Sequence, residues 1–144
     1  MTNPLIKNED VLLAIDPGTS KIGIAILRSN GSVLDKRIIR KNENPDSVLN
    51  EILGNYKPTT IVIGNGTGYE KIKQVIESIT QSNIQVIIFD ETDSTREARK
   101  NYFNRYNPLK RFFLTIGYLF GFSRIDLDDD VAVIIGKRYL DTKK

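Results

Sequence analysis

Three stretches of this 144-residue chain place carboxylates where an apolar run stops or starts. "VLLAID" ends in Asp16, "IQVIIFDE" ends in Asp90 and Glu91, and "DDDVAVII" opens with Asp128, Asp129 and Asp130. Each has a structural account when taken singly. An acid after a strand closes a turn through its own backbone, and acids at a helix start suit its N-cap and its positive end. Gathered in one place, however, carboxylates repel and raise one another's pKa unless they share a cation. A hard ion such as Mg²⁺ or Mn²⁺, held by a few carboxylates and several waters, relieves that repulsion. Two such ions about 4 Å apart can clamp the attacking and leaving oxygens of a phosphodiester displacement and lower the pKa of bound water. The chain has no histidine and no cysteine. The commonest general base, thiolate ligands and disulfides are therefore all excluded. Asp16 would bridge the metals, and Glu91 (or Asp90) with Asp128 (or Asp129) would complete the site.

That chemistry needs elements that bring the acids together. Val11–Ile15 reads as a strand buried on both faces. Ile22, Ile24 and Ile26 alternate in a second strand, and "SNGS" gives an Asn-Gly hairpin before a third over Val33–Ile39. The period then changes. Val48, Leu49, Ile52, Leu53 and Tyr56 share a helical face behind Pro45 or Asp46. "TTIVIG" is a strand, Ile72, Val75, Ile76 and Ile79 mark an amphipathic helix, and "IQVIIF" is a fifth strand. "STRE" at Ser94–Glu97 has capping-box spacing for a further helix. A last helix spans about Asp129 to Leu140, with Val131, Ile134 and Ile135 inward. The order β-β-β-α-β-α-β-α-α predicts an α/β fold with a mixed five-stranded sheet, a three-stranded antiparallel meander plus two parallel strands, flanked by helices. Right-handed crossovers then set strands one, four and five parallel, so Asp16, "GNGTG" (Gly64–Gly68) and Asp90–Thr92 meet at one carboxyl edge, where open sheets bind ligands.

The length suits one domain over residues 1–144, with an ordered core of about 11–140. Net charge is only +3, but its distribution is uneven. Between Arg96 and Arg124 stand seven Arg or Lys, one acid and eight of the twelve aromatics. Arg96, Arg99, Lys100, Lys110 and Arg111, together with Lys21, are candidate phosphate contacts, and Tyr102, Tyr106 or Phe112 could stack on unpaired bases. The competing account makes the aromatics core or dimer contacts and the charges a solvated face. Asn65 and Thr67 lie in the "GNGTG" loop, which either offers backbone N–H groups to a phosphate or simply makes a tight turn. It is not a P-loop, because no Gly-Lys-Ser/Thr follows. "MTNPLIKNED" lacks the features of a secretory signal, and "FFLTIGYLFGF" is too short to span a bilayer, so no membrane association is expected.

Three segments carry a resemblance. "IDPGTSKIGIAI" resembles, through Asp16, Gly18, Ile22, Gly23 and Ala25, the first strands of the YqgF/RuvX family, within the ribonuclease-H-like superfamily. "DETDSTREAR" matches the family's acidic-then-Ser-Thr motif at Asp90, Glu91, Ser94, Thr95, Ala98 and Arg99. "DDDVAVIIGKRYL" resembles its C-terminal helix. The resemblance covers about Val11 to Leu140. It implies a metal-dependent nuclease of the Holliday-junction-resolvase or pre-16S-rRNA-processing type, with Asp16, Glu91 and Asp128 catalytic; the residues themselves keep Asp129 as a candidate ligand of the Mg²⁺ or Mn²⁺ beside them. It further implies a cytoplasmic bacterial protein acting on structured RNA or branched DNA; a monomer or homodimer is expected. Two departures stand out. Thr92 occupies the position of the family's arginine, and "GNGTG" replaces its usual Gly-Leu-Pro loop.

Other readings compete. "DPGTSKIG" also fits the phosphate strand of sugar-kinase or actin-like ATPases, but those need two lobes and this chain supplies one. A non-catalytic nucleic-acid-binding module of the same fold is the main rival. A dimer module built on Phe112–Phe122 is a third.

Overall fold

The computed structural model describes residues 10–90 and 128–144, with side chains in the last segment from position 131 onward. The elements run β1 (Val11–Pro17), β2 (Lys21–Arg28), β3 (Val33–Arg40), α1 (Pro45–Tyr56), β4 (Thr60–Gly64), α2 (Tyr69–Ile79), β5 (Gln85–Phe89) and α3 (Asp128–Asp141). The strands form one five-stranded sheet in the order β3-β2-β1-β4-β5. Pairing is antiparallel across β1–β2 and β2–β3 and parallel across β1–β4 and β4–β5. This is the topology that the element order and right-handed crossovers predict. The "STRE" helix and the aromatic run fall outside the described residues.

Alternation along the central strands explains their unbroken apolar sequence, because both faces of the sheet are covered. Leu13 and Ile15 of β1, with Ile22, Ile24 and Ile26 of β2, pack against Leu49 and Ile52 of α1 and Ile72 and Ile76 of α2. Leu12, Ala14, Ala25, Leu27 and Val62 point the other way, onto Val131, Ala132, Ile135 and Tyr139 of α3. Truncating a fully buried member such as Ile52 to alanine costs about 2–5 kcal/mol, since the cavity closes only partly. Ile134, expected inward, is partly buried and flanks this second cluster.

Local signals set the ends of the elements. Asn44 caps α1 through its side-chain oxygen, which accepts from the backbone N–H of Asp46 at 2.9 Å, and Pro45 opens the first turn. The β2–β3 hairpin turns at Asn30-Gly31, with Gly31 at φ 87°. Gly136 is a close-approach glycine. A Cβ there would stand 2.7 Å from Leu27 Cδ1 and 3.1 Å from Ala14 Cβ, so its absence lets α3 settle onto β1 and β2.

Strand β1 runs further than the sequence pattern indicates. Asp16 is paired with Gly23, and Pro17 with Ile22. Asp16 is therefore a strand residue and not a turn residue. Pro17 ends the strand, so its missing N–H removes at most one bond of the ladder.

Candidate active site

Because Asp16 lies inside a paired strand, alternation fixes its face. It follows Leu12 and Ala14, so it belongs to the side covered by α3. Its partner Gly23 belongs to the same face of β2, two residues before Ala25. On the other side, β1 and β4 pair through Ile15 and Ile63, so Gly64 stands level with Asp16 one step on. Gly64 in turn pairs with Phe89 of β5. The row thus reads Gly23, Asp16, Gly64, Phe89 across the carboxyl edge, with the half-buried carboxylate flanked by two residues that project no side chain.

The next row lies on the opposite face. The Asn65 backbone N–H donates to the Phe89 carbonyl at 3.0 Å, and its side-chain Nδ2 donates to Asp90 Oδ1 at 3.2 Å. These bonds tie the ends of β4 and β5 together. Asp90, the residue after β5, is thereby held against Asn65.

After Asn65 the chain turns tightly. The Tyr69 N–H donates to the Gly66 carbonyl at 3.1 Å, and Gly68 precedes α2 at φ 105°, where an L side chain would be strained. The tight-turn account of "GNGTG" thus has direct support, and Thr67 is exposed in that turn. Gly18 packs the facing loop. A Cβ at Gly18 would overlap the Lys21 carbonyl oxygen, and one at Gly68 would come within 3.6 Å of the Gly18 carbonyl. The loops after β1 and β4 therefore meet beside Asp16.

Helix α3 runs against β1. Gly136 lies over Ala14 and Leu27, while Tyr139, Leu140, Lys143 and Lys144 line a cleft of about 370 Å³ at the amino edge with Asp10, Leu12, Thr60 and Gln85. Its first turn consequently heads for the carboxyl edge. Asp128 is the first residue of α3, about 12 Å along the helix from Gly136.

Of the candidate phosphate contacts, Lys21 is half-buried at the start of β2 on the face of Asp16, and Asn65 and Thr67 are exposed beyond β4. Glu91, Arg96, Arg99, Lys100, Lys110 and Arg111, and the side chains of Asp128 and Asp129, lie outside the described residues. Among the described residues no group of three acids gathers closely enough to hold a metal. Nor is any helix among them long and apolar enough to cross a membrane. The roles of Gly23 and Gly64 as the neighbours of Asp16 were not legible as roles. The signal was the alternation Lys21, Gly23, Ala25, Leu27, which needs only the pairing register to give it meaning.

A mixed sheet in the order β3-β2-β1-β4-β5, with its first three strands antiparallel and a C-terminal helix crossing the face that carries the β1 acid, defines the ribonuclease-H-like class. Solved structures bear this out at the level of the fold. The fowlpox virus Holliday junction resolvase superposes with a TM-score of 0.63 at 14% identity, covering 93% of this chain and 99% of that one. The same resolvase in complex with Holliday junction DNA gives 0.63 at 16% identity, covering 92% and 98%. RuvC from T. thermophilus in complex with a Holliday junction substrate gives 0.55 at 12% identity, covering 93% and 95%. The family profile described as "RuvX: Holliday junction resolvase" matches residues 10–112, and the chain belongs to that family. A protein of Buchnera aphidicola subsp. Baizongia pistaciae (strain Bp), named "Putative pre-16S rRNA nuclease", is 27% identical over 109 residues, 67% of this chain and 79% of that protein. The protein is thus a hydrolase of a nuclease family.

Proposed function

We propose that this protein is a metal-dependent endonuclease that hydrolyses phosphodiester bonds in structured nucleic acid, either branched DNA or precursor ribosomal RNA. The observation that carries the reading is the place of Asp16: a strand residue at the carboxyl edge, on the face of α3, between Gly23 and Gly64. Asp16, Glu91 and Asp128 are the catalytic carboxylates, with Asp129 as a further ligand.

Asp90 accepts from Asn65 Nδ2 at 3.2 Å, which favours its neighbour Glu91 as the ligand. The donor set consists of oxygens only, which suits Mg²⁺ or Mn²⁺, and the two glycines beside Asp16 leave width for an ion that keeps several waters. When bound, such an ion would lower the pKa of an attacking water and neutralise charge on the scissile phosphate. The chain itself supplies three further things. Asp16 is held by strand pairing, so its backbone keeps one position. Lys21, with the loop residues Asn65 and Thr67, receives phosphates beside the edge, and Arg96, Arg99, Lys100, Lys110 and Arg111 extend that contact. The core on both faces keeps the edge rigid. We place this activity in a single domain spanning residues 1–144, working in the cytoplasm as a monomer or homodimer.

The test is cleavage of labelled four-way DNA junctions and of structured precursor RNA, with Mg²⁺ or Mn²⁺ titrated in and then removed by chelation. Cleavage of one substrate by the wild type, lost on chelation and in Asp16→Asn with binding retained, is the expected result. Binding without cleavage of either substrate at any metal concentration would replace the reading with a non-catalytic binding module.

A further inference from the structure

One residue joins the ends of β4 and β5 twice. The Asn65 backbone N–H, first after β4, donates to the Phe89 carbonyl at 3.0 Å and prolongs the ladder that pairs Gly64 with Phe89. The Asn65 side chain reaches one residue further, where Nδ2 donates to Asp90 Oδ1 at 3.2 Å. Two consecutive residues at the end of β5 are thus held from a single position on its neighbour. Asn65 and Asp90 are both exposed. A hydrogen bond open to water adds little to the stability of a fold, because water replaces it at small cost. The side-chain bond therefore serves position more than stability.

What it positions follows from the chain. Asp90 immediately precedes Glu91. Strand β4 lies between β1 and β5, so Asn65 refers the end of β5 to the same sheet edge that carries Asp16. Asparagine suits the task. Its amide nitrogen donates to a carboxylate and brings no charge. An acid at position 65 would repel Asp90, and an apolar side chain would offer it no donor.

We propose that Asn65 is a positioning residue for the metal centre: by holding Asp90 it sets the point from which Glu91 is presented to the cation beside Asp16. The proposal rests on the nuclease reading and adds to it a residue that acts on a ligand without touching the ion. It also divides two adjacent acids by role, Asp90 as the held acceptor and Glu91 as the ligand. Groups that orient the ligands of a metal are worth about 10–100-fold in its affinity.

The experiment measures Mn²⁺ binding to the full chain, by loss of the paramagnetic resonance signal of the free ion, with thermal unfolding of the same proteins in the absence of metal. No nucleic acid is present, so contact of Asn65 with phosphate does not enter the readout. Asn65→Ala should weaken Mn²⁺ binding about tenfold, while its unfolding midpoint hardly moves. N65D/D90N exchanges donor and acceptor at unchanged total charge and should recover most of that loss. If Asp16→Asn loses Mn²⁺ binding but Asn65→Ala does not, the positioning role is wrong and the nuclease reading stands. If N65D/D90N binds as weakly as Asn65→Ala, Asp90 is itself a ligand and the division of roles is overturned. A midpoint lowered enough to account for the lost binding would overturn it too, by assigning Asn65 to the fold. If the wild type binds no Mn²⁺, both the role and the metal-dependent reading fall.

Discussion

Asp16 on β1 stands directly opposite Gly23 on β2, on the face of the sheet that α3 covers. The pairing makes the carboxylate's position a property of two strands and leaves its β2 flank without a side chain. A branched side chain at Gly23 would therefore occupy width that the proposed ion and its waters require. Gly23→Val is expected to lower cleavage at least tenfold while binding of nucleic acid changes little. Single-turnover cleavage alongside equilibrium binding separates the two. An equal drop in both would show that position 23 acts through the fold.

Helix α3 holds Asp128 and Asp129, which we propose as ligands, so the closeness of its packing on the sheet should matter to activity as well as stability. In Gly136→Ala the new methyl group meets Leu27, fully buried, and Ala14, whose own Cβ cannot retreat. Such overpacking costs about 1–3 kcal/mol. Urea titration should show that destabilisation, with cleavage reduced further than the unfolded fraction explains, because the first turn of α3 is displaced.

The Asp35 cluster predicts a pH dependence. Burial alone would raise the pKa of this carboxyl, but hydrogen bonds from the Tyr56 hydroxyl, Arg37 and the Lys36 backbone together outweigh it and hold the pKa below 3.8. Tyr56 is shifted up by the bond it donates to Asp35, and Arg37 by its bonds to Glu51 and Asp35. A group whose folded pKa is depressed favours folding above its unfolded pKa, and that contribution fades as pH falls through the folded value. Asp35→Ala should cost about 1 kcal/mol near neutral pH, given a partly exposed site. The difference from wild type should shrink as the pH is lowered below 3.8, which denaturant melts across that range would reveal.

Lys57 closes α1 in the left-handed region, at φ 49°, with its N–H bonded to the Leu53 carbonyl at 3.1 Å. Glycine adopts that conformation without steric cost, whereas an L side chain is strained there by about 1 kcal/mol. Lys57→Gly should raise the midpoint of thermal unfolding by a few degrees and leave cleavage unchanged. A lower midpoint would mean that the Lys57 stem contributes packing that outweighs the strain.

Much of this molecule is legible in its sequence, for reasons that lie in short-range chemistry. Alternating and continuous apolar runs can be satisfied only by strands covered on one or both faces, so the five strands and their order follow from Val11–Phe89 itself. Asn44-Pro45 and Asn30-Gly31 fix a helix start and a hairpin because their side chains and φ preferences act within a few residues. The three acidic stretches are visible for the same reason, as breaks in apolar pattern. Pairing register is another matter, because it depends on which residues meet across strands distant in the chain. Only the folded sheet extends β1 through Asp16 and sets it between Gly23 and Gly64. The folded sheet also brings Asn65 within hydrogen-bonding reach of Asp90 and sets Arg40 across from Lys21. Even in the β2–β3 hairpin the Asn-Gly turn held only part of the answer, since the pairing shifts by one residue between Leu27–Val33 and Ile26–Asp35. The sequence by itself determined which elements exist and which residue types could do chemistry. Tertiary structure decided which face and which row each one occupies, because a shift of a single residue in strand pairing reverses every side chain.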